Sequence, residues 1–283
     1  MPRLALLQFA MAAAVHQLLC WRECNRLIDL SVFMPYGICH LSVVPVRILA
    51  DHASEMLTQL LYGDHFRITD TRKHWTKIQI GFDKSEGWIG TRQFVSIDKA
   101  QYKNIERINK PKFSSDLVAF ASGSNETLIP ILMGSSISST KLFSHKFEGA
   151  FLNGSGQKSN LVATAMYYLN APFLWGGKTP FGIDDGGLSQ MVYRINGYNL
   201  PRHAYEQSKE GESLSFIEES EPGDLAFFDD KEGNIDHVGI IMKDNFIIHA
   251  HGNVRVDRLD HTGIFNVEDR TYSHSLRVIK KIV

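Results

Sequence analysis

Beyond residue 39 the chain contains no cysteine; its three, Cys20, Cys24 and Cys39, all fall within the first forty of 283 residues. An odd, front-loaded set cannot staple the later residues together, so a disulfide framework is excluded for the body of the fold. Cys20 and Cys24 have no second Cys or His pair at finger-like spacing and read as incidental thiols rather than a zinc site. Charge of one sign is lacking too. The formal net charge is -1, which excludes a global field favouring nucleic acid or an anionic membrane. No basic stripe is present, so no nucleic-acid partner is expected. Long apolar runs are scarce. Leu4 to Leu19 is interrupted by Gln8, His16 and Gln17, and is too short to cross a bilayer, so no membrane span is expected. With Arg3 ahead and Ala10, Ala12 and Ala14 inside, this segment has features of a secretory signal. An upstream extension, with the functional chain opening at Met34, is the other reading.

What is present suffices for a core, at 43% hydrophobic and 22% charged residues, and the length fits one large domain or two to three smaller ones. From Ile38 the pattern turns β. "SVVPVRIL" (Ser42–Leu49), "HFRITDT" (His65–Thr71), "HWTKIQI" (His74–Ile80) and "GWIGTRQFVSI" (Gly87–Ile97) are short runs separated by turn residues, as in a small barrel or sandwich. "NKPKFSSD" (Asn109–Asp116) is a polar break. Leu117 to Gly154 repeats the short-strand texture and predicts a second, degenerate β module.

After Gly154 helices come first. Ser159–Asn170 has near-helical apolar spacing with Ser159 as N-cap. Leu188, Met191, Val192 and Ile195 fall at i, i+3, i+4 and i+7, predicting a helix that begins at Asp184–Gly186 and ends at Gly197. Ala204–Gly211 is a third, short candidate. Strands come next, at Glu221–Asp229, His237–Lys243, Asn245–Gly252, Val254–Leu259 and Leu276–Val283, with a hairpin at Asp244-Asn245. Helices followed by an antiparallel meander give an α+β class.

Two features carry chemistry. Asp184 and Asp185 stand at a helix N-terminus, where unpaired amides and the macrodipole favour negative charge. One of them serves simply as an N-cap, worth about 1 kcal/mol, if nothing else acts on them. His237 and His249 lie near the ends of adjacent strands, where a tight hairpin can make them neighbours, the arrangement that orients a general base. Two ordinary strand histidines would satisfy the same pattern.

The ordered string "FLWGGKTPFGIDDGGL…EPGDLAFFD…HVGIIM…IIHAHG" resembles the NlpC/P60 cell-wall peptidases over Leu161 to Val283. The β modules upstream resemble the bacterial SH3 domains of the dipeptidyl-peptidase subgroup. The resemblance implies two small SH3-like barrels ahead of a papain-like domain: 1–33 an extension or signal-like segment, 34–108 and 109–155 the SH3-like domains, 156–283 the NlpC/P60 domain. It implies a cysteine-type hydrolase for the γ-D-glutamyl bond to a diamino acid in peptidoglycan stem peptides, with no cofactor. "MPYGICHLSVVPVR" resembles a natural start for this group. The chain is then expected in the cytoplasm, or periplasmic or secreted if residues 1–33 act as a signal. A monomer is expected.

By position, Asp184 takes the role of a substrate-gripping acid, His237 the base and His249 the residue that orients it. Phe173 stands where a substrate-binding Tyr is usual, beside Trp175, and Glu55 is the candidate for holding a free amino terminus. The departures fall at the reaction centre. The family's Asp-Cys-Ser-Gly reads Asp184-Asp185-Gly186-Gly187, and "PRHAY" has His203 in place of Asp. Asp185 therefore sits at the nucleophile position and Gly186 at that of a substrate-binding Ser. A carboxylate attacking an amide forms an adduct that expels carboxylate before amine, so covalent turnover stalls. An ion pair between Asp185 and His237, raising the histidine's pKa, is the expected state. The expected function is a catalytically impaired muropeptide-binding protein. The alternative is a hydrolase in which Asp185 and His237 activate water in room left by Gly186. A metal on Asp185, His237 and His249 is not expected, because the inherited geometry sets them in a row rather than around a point.

Overall fold

A computed structural model describes residues 35–124, 127–154 and 156–283; the readings of residues 1–33, with Cys20 and Cys24, lie outside these. The first module consists of β1 (Tyr36–Ile38), β2 (Val43–Arg47), β3 (Met56–Leu61), β4 (His65–Thr71), β5 (Trp75–Ile80), β6 (Glu86–Gly90) and β7 (Val95–Ile97). They form one antiparallel sheet in the order β3-β2-β6-β5-β4-β1-β7. Alternate residues of β2 and β5 point inward, as the period of two requires. Val44, Val46, Leu60, Phe66, Ile78 and Ile89 make the core. The run read as one strand over 87–97 is two, split where Gly90 and Gln93 close a turn. β3 and α1 (Lys99–Glu106) were not expected; α1 is started by a capping box between Asp98 and Gln101.

The second module holds β8 (Lys112–Ser114), β9 (Val118–Ser122), β10 (Leu128–Leu132), β11 (Lys146–Glu148) and β12 (Phe151–Asn153), arranged as a three-stranded sheet β10-β9-β11 and the pair β12-β8. Its small core of Ala119, Ala121, Ile131 and Ile137 borrows Tyr62 from the first module.

The last region opens with α2 (Leu161–Met166), shorter than its periodicity suggested and preceded by a 3₁₀ turn, so that Asn160 rather than Ser159 holds the cap position. A two-residue hairpin, β13 (Lys178–Thr179) and β14 (Gly182–Ile183), leads into α3 (Asp185–Ile195), with Asp184 as its N-cap. α4 is only Ala204–Gln207. Then come β15 (Glu212–Leu214), β16 (Leu225–Asp229), β17 (Ile235–Ile241), β18 (Phe246–His251), β19 (Asn253–Leu259), β20 (Gly263–Asn266) and β21 (Thr271–Lys281). The sheet runs β15-β21-β16-β17-β18-β19-β20, and β21 also pairs with β20. β21 begins five residues before the run read from the sequence. Its first part pairs with β20 and its second with β16, so the sheet closes on itself.

The predicted apolar face of α3 packs on this sheet: Leu188, Met191, Val192 and Ile195 meet Leu225, Phe227, Val238, Ile240 and Ile248. Each such side chain stabilises by about 1.5–3 kcal/mol when buried. The opposite face is buried as well. Arg194 pairs with Asp64 of the first module, and Gln190 donates to Asp83 at 3.0 Å. Residues Pro35–Val283 accordingly form one compact unit. Among the described residues no helix is long and apolar enough to cross a membrane.

Candidate functional site

α3 starts where it does because Asp184 Oδ1 accepts from Gly187 N at 2.7 Å. The other carboxylate oxygen accepts from Gly176 N at 2.8 Å and from Arg202 Nη2 at 2.7 Å. Asp184 is 3% exposed, and its oxygens are committed internally. It caps the helix and pairs with a buried arginine. At Gly186 a Cβ would lie 2.6 Å from the Arg202 carbonyl oxygen, so that position points toward the 202–204 backbone.

Asp185 is the first helical residue, 7% exposed. Its Oδ2 accepts from Val238 N at 3.0 Å and lies 3.5 Å from His237 Nδ1. The opposite nitrogen, His237 Nε2, is 2.8 Å from His249 Nδ1. His249 Nε2 is 3.0 Å from Asp257 Oδ2, which Arg255 Nε also meets at 2.6 Å. The row predicted for Asp185, His237 and His249 is thus present and is extended by Asp257 and Arg255. Asp257 accepts the Nε2 proton of His249. That leaves a lone pair on His249 Nδ1, so His237 donates from Nε2 and turns the Nδ1 lone pair toward Asp185.

The expected ion pair is not the resting state. Burial, and then the neighbouring Asp184, push Asp185 up to about 7. Burial, with His274, His249 and His251 nearby, holds His237 well below the usual histidine value. Near neutral pH the pair is therefore poised between a protonated and an ionised carboxyl beside a neutral imidazole, and the histidine's pKa is lowered rather than raised. Asp257 lies below the usual carboxylate range: burial opposes this, but hydrogen bonds from His249 and Arg255 prevail.

Stability depends on pH as a result. An Asp ionises near 3.9 when unfolded, so with a folded value of about 7 its contribution is fully present below about pH 4. It is lost as pH rises through about 7, a change of up to about 4 kcal/mol. Asp185→Asn keeps an acceptor for Val238 N and removes the titration. Urea unfolding at about pH 8 is expected to find the variant more stable than the parent, with the difference shrinking toward about pH 5.

Three residues of the site escaped sequence reasoning. The β18–β19 hairpin pairs His251 with Asn253, His249 with Arg255 and Ile247 with Asp257; period-two alternation then sets Asp257 and Arg255 on the His249 face, and this register was readable around Gly252. His274 stacks on His237, with ring centroids 4.0 Å apart and planes at 17°. It arrives only through the early start of β21.

The remaining candidates form a rim. Glu55 Oε1 accepts from Trp175 Nε1 at 2.7 Å, so those two do meet, across the first module and the last. Phe173 and Trp175 are 40% and 51% exposed. Gly176 (φ +77°) allows this approach, since a Cβ there would meet the Met56 carbonyl oxygen at 2.4 Å. A separate cavity of about 370 Å³ is lined by Asp64, His65, Phe82, Phe113 and Arg194. It lies toward the other end of α3, roughly two and a half turns from Asp185, and none of the site residues lines it.

Residues 170–270 match the NlpC/P60 family, and residues 46–94 match the bacterial dipeptidyl-peptidase SH3 domain. The gamma-D-glutamyl-L-lysine dipeptidyl-peptidase of Bacillus subtilis (strain 168) is 25% identical over 215 residues, covering 68% of this chain and 71% of that protein. Dipeptidyl-peptidase 6 of Lysinibacillus sphaericus is 36% identical over 126 residues, 42% of this chain and 41% of that protein. An NlpC/P60 family protein from Bacillus cereus ATCC 10987 shares the fold, with a TM-score of 0.70 at 16% identity, over 87% of this chain and 99% of that one.

Proposed function

From a chain that is an NlpC/P60 protein fronted by a bacterial dipeptidyl-peptidase SH3 domain and related to gamma-D-glutamyl-L-lysine dipeptidyl-peptidases, we propose a protein that binds peptidoglycan stem peptides without cleaving them by the cysteine route. One observation carries this reading: Asp185, not a thiol, faces the Nδ1 lone pair of His237 at 3.5 Å. Acyl transfer needs the amine, protonated by the histidine, to leave the adduct before the attacking group does. A carboxylate fails that condition. Peptide recognition falls to the rim, where Glu55 and Trp175 are exposed and joined.

Calorimetry with L-Ala-γ-D-Glu-L-Lys, in the presence of a chelator, tests this directly. Saturable binding with no released dipeptide by mass spectrometry is the expected result. Glu55→Ala is expected to weaken binding about tenfold, the loss of one charge-assisted contact. Absence of binding removes the proposal. Turnover that survives iodoacetamide and disappears in Asp185→Asn favours the alternative, in which Asp185 and His237 activate water. The raised Asp185 pKa of about 7 suits that acid–base role.

A further inference from the structure

We propose that His237, His249 and His274 form a binding site for a divalent transition-metal ion of the zinc class. One nitrogen from each of the three lies within 4.8 Å of those of the other two. A metal-bound imidazole coordinates through one nitrogen and hands the other to a polar partner that fixes its orientation. All three rings have such an outer partner. His249 Nε2 is held by Asp257 at 3.0 Å, and His274 Nδ1 by the Ser273 hydroxyl at 2.8 Å. His237 Nδ1 faces Asp185 at 3.5 Å. The nitrogens turned inward are then His237 Nε2, His249 Nδ1 and His274 Nε2.

This assigns Asp185 a role that the row of groups alone does not. It sits outside the coordination sphere, as the acceptor for His237 Nδ1–H once Nε2 binds metal, just as Asp257 serves His249. Imidazole-only sites suit zinc and its neighbours, and three histidines leave a fourth, tetrahedral position for water. Two adjustments accompany binding. His237 Nε2 and His249 Nδ1, now 2.8 Å apart across a shared proton, separate to about 3.3 Å, the span of two tetrahedral ligands at about 2.05 Å. His274, stacked on His237 at 17°, turns to bring its ring plane onto the ion; it is the only partly buried member of the three.

The test uses the full chain, stripped with a chelator and titrated with Co²⁺ and Zn²⁺. The wild-type protein is expected to bind one equivalent of Co²⁺ with the intense visible spectrum of four-coordinate cobalt, and Zn²⁺ is expected to displace it. His274→Ala is expected to lose that equivalent. Asp257→Asn, which removes the carboxylate charge that His249 and Arg255 share, is expected to weaken it about 10–100-fold. His261→Ala, exposed and outside the cluster, leaves it unchanged, and circular dichroism checks that each variant is folded. No four-coordinate spectrum in the wild type, or an equal spectrum and affinity in folded His274→Ala, overturns the proposal. It rests on ring geometry alone. A failure of stem-peptide binding, measured with chelator present, therefore leaves it standing, and its own failure leaves the peptide reading intact.

Discussion

Asp185→Cys is expected to convert the chain into an active peptidase, raising release of L-Ala-γ-D-Glu from L-Ala-γ-D-Glu-L-Lys at least about 100-fold over the parent. The substitution places a thiol at the first turn of α3, where the helix amides lower its pKa. His237 already turns the Nδ1 lone pair toward that position from 3.5 Å, and the His249–Asp257 pair already holds its far nitrogen. Within this row the thiol is the group the substitution supplies. Mass spectrometry of the released dipeptide gives the readout, and iodoacetamide is expected to abolish it. Adding Gly186→Ser should reduce the gain instead of completing it, because the new Cβ meets the Arg202 carbonyl oxygen at 2.6 Å. A folded Asp185→Cys protein that alkylates at residue 185 and releases no dipeptide would show that the defect lies elsewhere in the cleft.

The second large effect concerns stability. Asp64→Ala is expected to cost about 3–5 kcal/mol, because it leaves the Arg194 guanidinium buried without its partner. Both side chains are almost inaccessible, at 4% for Arg194 and 1% for Asp64, and Asp64 Oδ2 also accepts from Leu61 N at 2.9 Å. Lys178, wholly buried nearby, is held down to about 8 by that burial and gains from the Asp64 charge. Burial alone would raise Asp64, but Arg194 and Lys178 outweigh it and hold it below the usual carboxylate range. Its contribution is accordingly present above about pH 4, the unfolded value, and lost as pH falls through its native one. A thermal melt near neutral pH should fall by roughly 10 °C or more. Asp64→Ala combined with Arg194→Met should recover part of the loss, since the guanidinium goes with its partner and only the Lys178 ammonium remains without the Asp64 charge. Equal melts for parent and Asp64→Ala would mean that the pair contributes nothing.

How legible this was depended on sequence distance. The apolar stripe of α3 and its Asp184 cap were readable because period and cap are local, and so was the closeness of His237 and His249, set by a short hairpin. The burial of the other α3 face was not, since Arg194 and Gln190 are polar and their partners, Asp64 and Asp83, come from a separate module. The Glu55–Trp175 contact had no local sign; family resemblance named the two residues only as separate candidates. His274 was hidden because the strand bearing it begins in "TYSHS", a polar stretch whose strand character comes from pairing with β20 rather than from its own composition. The ion pair of Asp185 with His237 was misjudged for a related reason. Sequence shows the partners and His249, but not the burial, nor His274 and His251, that together make a positive charge costly there.

Closure of the sheet sets an order of events during synthesis. β21 joins β15, β16 and β20 at once, so the ring carrying His237 has no lid of imidazole until residues 271–281 have left the ribosome. The helix bearing Asp185 and the hairpin bearing His249 are made earlier and can pack while they wait. A nascent chain stalled before residue 271 would hold the Asp185–His237–His249 row without the fourth wall of its pocket.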